Sequence, residues 1–94
     1  MKAIWNNQVI AASYDIVVVE ENPYFPLSSV NKQFLIESNT ETICPWKGTA
    51  SYFSIKIGDN INEDAAWYYK NPNEAAKEIE NRIAFWKGVK VERA

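Results

Sequence analysis

The stretch TASYFSIKIGDNINEDAAWYY, residues 49–69, decides the fold. Its first half alternates strictly. Phe53, Ile55 and Ile57 fall on one face of an extended chain, and Tyr52, Ser54 and Lys56 fall on the other. Gly58-Asp59-Asn60 is turn chemistry, because glycine accepts a positive φ and Asp and Asn bond their own backbone. The return segment, residues 61–69, puts Trp67 and Tyr69 on one face and Tyr68 on the opposite one. A period of two on both sides of a turn predicts an antiparallel hairpin, and a mainly β domain built outward from it.

The flanks extend the pattern. KAIW and QVIAAS predict two short strands around Asn6-Asn7, since asparagine tolerates the positive φ of a two-residue hairpin. Ile16, Val17, Val18 and Val19 form an unbroken β-branched run, which predicts a strand buried on both faces and ended by Glu20. Alternation puts Glu20 on the face of Ile16 and Val18. Pro23 and Pro26 predict an irregular connection anchored by Tyr24 and Phe25. KQFLIES, residues 32–38, is a short strand candidate, and residues 39–48 a turn-rich approach to CPWKG.

Past the hairpin, Asn71, Pro72 and Glu74 supply an N-cap, a first helical position and a capping-box acid. Ala75, Ala76, Ile79 and Ile83 follow at helical spacing. This predicts one short helix near residues 72–81. AFW and VKVE predict a last strand pair meeting at Lys87-Gly88. The expected total is about seven short strands and one helix at the sheet's edge.

Composition bounds the chemistry. The 94 residues fit one domain, residues 1–94, and 13 aromatic side chains can fill much of its core. Ten basic against twelve acidic residues, with no basic run, argue against nucleic acid as a partner. No apolar stretch approaches the roughly 20 residues of a membrane span, and the N-terminus does not read as a signal peptide. The single cysteine suits the cytoplasm. Histidine is absent, so Ser-His-Asp and Cys-His pairs are excluded, and so is a Cys/His zinc site. No metal and no cofactor are expected.

CPWKG, residues 44–48, concentrates what chemistry remains. Pro45 pushes Cys44 toward an extended conformation, and Gly48 permits a chain reversal. Lys47 can then fold back toward the Cys44 sulfur, where an ammonium lowers a thiol's pKa. The alternative is a buried cysteine packed as a small hydrophobe. Lys47 can instead bind an anionic group or pair with Glu20 across the sheet; a semi-buried lysine requires such a partner. Trp46, Tyr52, Trp67 and Tyr69 can line an aromatic pocket or simply pack in the core.

The blocks VVVEENPYFP, CPWKGTASY, DAAWYYKNP and AFWKGVKVE, in this order and spacing, resemble the bacterial domain-of-unknown-function family 427 across essentially the whole chain. The resemblance implies two antiparallel sheets packed at an angle, a β-tent-like, Mss4-like arrangement similar to methionine sulfoxide reductase B. Many β-tent members hold a structural zinc on cysteines, and this chain has only Cys44. The implied motif positions are Glu20, Tyr24 and Pro26, then Cys44 to Gly48 and Tyr52, then Trp67, Tyr69 and Pro72. The family is grouped by name with nucleotidyl-transferring proteins, yet the chain carries neither a paired-Asp motif nor a glycine-rich loop.

Two functions follow as expectations. One is a small-molecule binding module whose pocket joins the Glu20, Cys44–Lys47 and Trp67–Tyr69 segments, with Tyr24, Trp46, Tyr52, Trp67 and Tyr69 touching a polar or aromatic ligand. The other is a thiol-dependent or nucleotidyltransferase-like enzyme, with Cys44 as nucleophile, Lys47 stabilising the thiolate and Glu20 or Tyr52 moving a proton. A scaffold domain stapled by the motif is a third option. A homodimer stays open.

Overall fold

The structure, a computed structural model, describes residues 1–93. Among the described residues, nine strands form two antiparallel sheets. The smaller contains β1 (Lys2–Trp5), β2 (Gln8–Ala12) and β9 (Lys90–Glu92), in the order β2-β1-β9. The larger contains β3 (Val17–Val19), β4 (Asn22–Pro26), β5 (Leu35–Cys44), β6 (Gly48–Ile57), β7 (Asn60–Tyr68) and β8 (Arg82–Phe85). Its order is β3-β4-β8-β7-β6-β5. Among the described residues no helix is long and apolar enough to cross a membrane.

The decisive hairpin is β6–β7, closed by the two-residue loop Gly58-Asp59 with Ile57 opposite Asn60. Only the glycine has a positive φ, +59°, which is the pattern of a II′ turn. The first hairpin uses the other primed turn, with Asn6 at 51° and Asn7 at 62°. β6 sorts its side chains as alternation requires. Phe53, Ile55 and Ile57 join a core beneath the small sheet, with Ala3, Ile10, Phe25, Tyr68 and Ile83. Tyr52, Trp67 and Tyr69 join a second cluster on the opposite face, with Val19, Tyr24, Ala50 and Ile79. The six-stranded sheet is thus covered on both faces.

Several expectations are corrected. The Val17–Val19 run is an edge strand, not one buried on both faces, and Val18 is 58% exposed. Glu20 does not continue that strand. It and Glu21 form a two-residue turn at φ 51° and 68°, a conformation that costs a non-glycine residue about 1 kcal/mol or more. The proline-bearing segment is strand β4 rather than an irregular connection. Pro23 lies opposite Val18, one step beyond the pair that closes the turn, and such a pair exchanges no ladder hydrogen bond. Residues 39–44 belong to β5, a ten-residue strand interrupted by a bulge between Glu37 and Glu41. β8 and β9 do not pair with each other: β8 lies between β4 and β7, and β9 crosses to β1.

The helical segment is present as a six-residue 3-10 helix, Glu74–Ile79, with a kink at Ala76. Asn73 rather than Asn71 stands at its start, and its side chain caps nothing because its amide donates to the Pro45 carbonyl, 3.3 Å away. An isolated α-helix this short is marginal. Ala76, at the kink, and Ile79 are the segment's buried residues, both packed in the second cluster. Ile83, expected on the same stripe, is a core residue of β8.

Candidate functional site

CPWKG closes the β5–β6 hairpin. Cys44 stands opposite Gly48, and Pro45, Trp46 and Lys47 make the loop. Gly48 sits at φ +112°, where a side chain is strained whatever the space around it. The loop is tied down from outside, since the Asn73 amide donates to the Lys47 carbonyl at 2.9 Å. With its backbone fixed, Lys47 runs inward along the sheet, and its side chain is only 9% exposed.

The Lys47 ammonium donates to Glu20 Oε1 from the β3–β4 turn, 27 residues away in the chain. It also lies 5.4 Å from the Trp46 ring centroid and 5.8 Å from that of Tyr69, within cation–π range. Burial alone would lower the Lys47 pKa. The Glu20 hydrogen bond, helped by the Tyr24 and Tyr69 hydroxyls, overrides burial and raises it. The sequence reading that paired these two residues across the sheet therefore describes the geometry. Glu20 itself remains half in water, its side chain 54% exposed.

The aromatic residues divide into walls and supports. Trp67 stands opposite Tyr52 on β6 and Ala84 on β8. Its indole N–H donates to the Tyr24 hydroxyl at 3.1 Å, and the two rings meet edge to face at 89°. Tyr24 is fully buried, so it orients Trp67 rather than touching solvent. Burial raises its pKa against the pull of the Trp67 hydrogen bond. Tyr69 is 4% exposed, and burial pushes its hydroxyl up to about 12 despite the neighbouring Lys47. The Tyr52 hydroxyl shares a 2.9 Å hydrogen bond with Thr42.

Together Lys47, Tyr52, Trp67, Tyr69 and Trp86 line a shallow, largely open hollow of about 220 Å³. Trp86 is the residue sequence reasoning missed. It stands two positions beyond Ala84, hence on the Trp67 side of the sheet, and its ring meets Trp67 at 85° and 6.0 Å. Its indole N–H donates to the Asp64 carbonyl at 2.6 Å, and Lys87 lies over its ring. Finding it required knowing that β8 pairs with β7, which no local pattern states.

Cys44 does not line this hollow, though it packs against the same cluster as Tyr52, Trp67 and Tyr69. It is a free, partly buried thiol packed against the second cluster, and among the described residues no hydrogen bond joins it to Lys47. Trp46 is 40% exposed and flanks Lys47 from the loop side. Among the described residues no three Cys, Asp or Glu side chains gather to hold a metal ion. A wider depression of about 410 Å³ between the Pro26–Ser28 and Glu80–Arg82 segments carries no aromatic ring. Its most buried charge, Arg82, is already paired with Asp15 at 2.9 Å.

No curated protein matches the sequence. A family model described as "Domain of unknown function (DUF427)" matches residues 1–94, the whole chain. That match agrees with the blocks around Glu20, Cys44–Gly48, Trp67–Tyr69 and Trp86, three of which meet at one hollow, and the chain belongs to this family.

Proposed function

We propose that the domain is a binding module that holds a small polar or aromatic ligand in the hollow beside the Lys47–Glu20 pair. One observation carries the reading. A buried ammonium with a single carboxylate partner opens, with Tyr52, Trp67, Tyr69 and Trp86, onto about 220 Å³ of accessible space. A lysine kept only for stability is an expensive choice at such a place, because desolvating the charge offsets most of what its pairing gains. Ligand sites commonly combine apolar aromatic walls with a few convergent polar groups, and the shifted Tyr69 and Lys47 protons fit that description.

The test is a thermal-shift screen of the folded chain against a metabolite library. A ligand at one hundred times its dissociation constant stabilises by about 2.7 kcal/mol. In a domain of this size that raises the melting temperature by roughly 10 to 20 °C. The shift should vanish in Lys47→Met and in Trp67→Ala. If no compound class moves the melt, and both variants fold, the binding role has lost its basis.

A further inference from the structure

The side chains around the hollow have few hydrogen-bonding groups left to offer. The Trp67 indole N–H is spent on Tyr24 and that of Trp86 on the Asp64 carbonyl. The Tyr52 hydroxyl is engaged with Thr42. Two groups remain. The Lys47 ammonium has three protons, and Glu20 takes one. The Tyr69 hydroxyl makes no hydrogen bond among the described residues, and its proton is held far above neutral pH. Both present protons, so they select an oxygen acceptor.

Other ligand classes fit poorly. A cation over Tyr69 would meet the position that Lys47 already fills. A sugar is normally held by several neutral amides and hydroxyls, and no Asn, Gln, Ser or Thr lines the hollow. Meanwhile one Lys47 proton is already taken from within the chain, by Glu20, which is not among the residues lining the hollow. Glu20 reaches Lys47 from a turn with both φ values positive, is half exposed, and its carboxylate has this one partner among the described residues. A carboxylate so held can exchange into water at small cost.

We propose that Glu20 is an internal placeholder for the carboxylate of an aromatic acid. The acid's ring packs in the perpendicular corner of Trp67 and Trp86, its carboxylate takes Lys47 and Tyr69, and Glu20 swings into solvent. The inference rests on the binding reading above and names the chemical class of ligand. It predicts an inverted mutational effect: removing a charged site residue strengthens binding.

The experiment titrates the full chain with benzoate, 1-naphthoate and indole-3-carboxylate, each beside its primary amide, followed by calorimetry and tryptophan fluorescence. When Glu20 occupies Lys47 most of the time, apparent affinity is reduced by the fraction of free sites, so Glu20→Gln should bind the acids at least about tenfold tighter. The amides should change less than about threefold, and Lys47→Met should lose the acids while keeping its melt. If Glu20→Gln is too unstable to titrate, Glu20→Asp, with its shorter reach, should shift affinity in the same direction. Unchanged or weaker acid binding in the Glu20 variants overturns the placeholder. So does tighter binding of the amides than of the acids, which would leave the binding module standing with another ligand class. Failure of both the acids and the amides to bind any variant overturns the placeholder, and the metabolite screen above then decides the binding reading by itself.

Discussion

Glu20 and Lys47 make the sharpest stability test because their environments differ. Lys47's side chain is 9% exposed and Glu20's is 54% exposed. Removing one partner from a fully buried pair costs about 3 to 5 kcal/mol, because a charge is stranded without compensation. Glu20→Gln strands the buried member, but solvent already reaches the pair from Glu20's side and the amide oxygen still accepts one hydrogen bond. The expected cost therefore falls to about 1 to 2 kcal/mol, or roughly 4 to 16 °C in melting temperature. Lys47→Met strands the exposed member instead, and a half-solvated carboxylate loses little. The variant gives up two cation–π contacts of about 0.5 to 1 kcal/mol each and gains back the cost of desolvating an ammonium. It should lie within about 1 kcal/mol of the parent. The double variant should resemble Lys47→Met, giving a coupling energy of about 1 kcal/mol or more. Urea denaturation with matched slopes reads all four proteins. Equal costs for the two single variants, or coupling below about 0.3 kcal/mol, would refute the view that the buried lysine depends on Glu20.

Three further outcomes can be checked. Tyr69's pKa is raised from 10.0 to about 12, so its contribution is present below pH 10 and is lost as pH rises through 12; stability measured by urea should fall by on the order of 2 kcal/mol between pH 10 and 12, less in Tyr69→Phe, whereas equal losses in both would remove the claim. Lys47, also raised, adds loss of the same sign as pH rises above its ordinary value of 10.5. Glu21→Gly should stabilise by about 0.5 to 1 kcal/mol in the same assay by relieving a positive φ of 68° on an exposed side chain, and a destabilised variant would contradict the turn geometry. Ile83→Ala should cost about 2 to 5 kcal/mol, since this fully buried side chain lies in the β8 core and not on a helix, and a loss under about 1 kcal/mol would count against that placement.

What could be read locally was read correctly where one rule governed it. Asn6-Asn7 and Gly58-Asp59 dictate primed turns because few residues accept a positive φ, and Phe53, Ile55 and Ile57 sort to one core because a strand's period is fixed. The readings failed where neighbours decide. Four β-branched residues in a row look doubly buried, yet Val18 is exposed because β3 is an edge strand, a fact of sheet order. The Asn71-Pro72-Glu74 signal looks like an α-helix start, yet the Asn73 side chain and backbone are drawn to the Pro45–Lys47 loop. Glu20-Glu21 gives no turn signal at all, because nothing about two glutamates favours a positive φ.

The amino-acid sequence by itself determined a mainly β domain of antiparallel hairpins, the faces of its central strands, and the residue types that could do chemistry without histidine. Each of these depends on a residue and its near neighbours in the chain. Only the tertiary structure decided that Lys47, Trp67 and Trp86 line one hollow, with Glu20 bonded to Lys47 and Cys44 not among the lining residues. That outcome depends on β8 inserting between β4 and β7, a pairing set by long-range packing of two apolar faces, which leaves no mark at any single position.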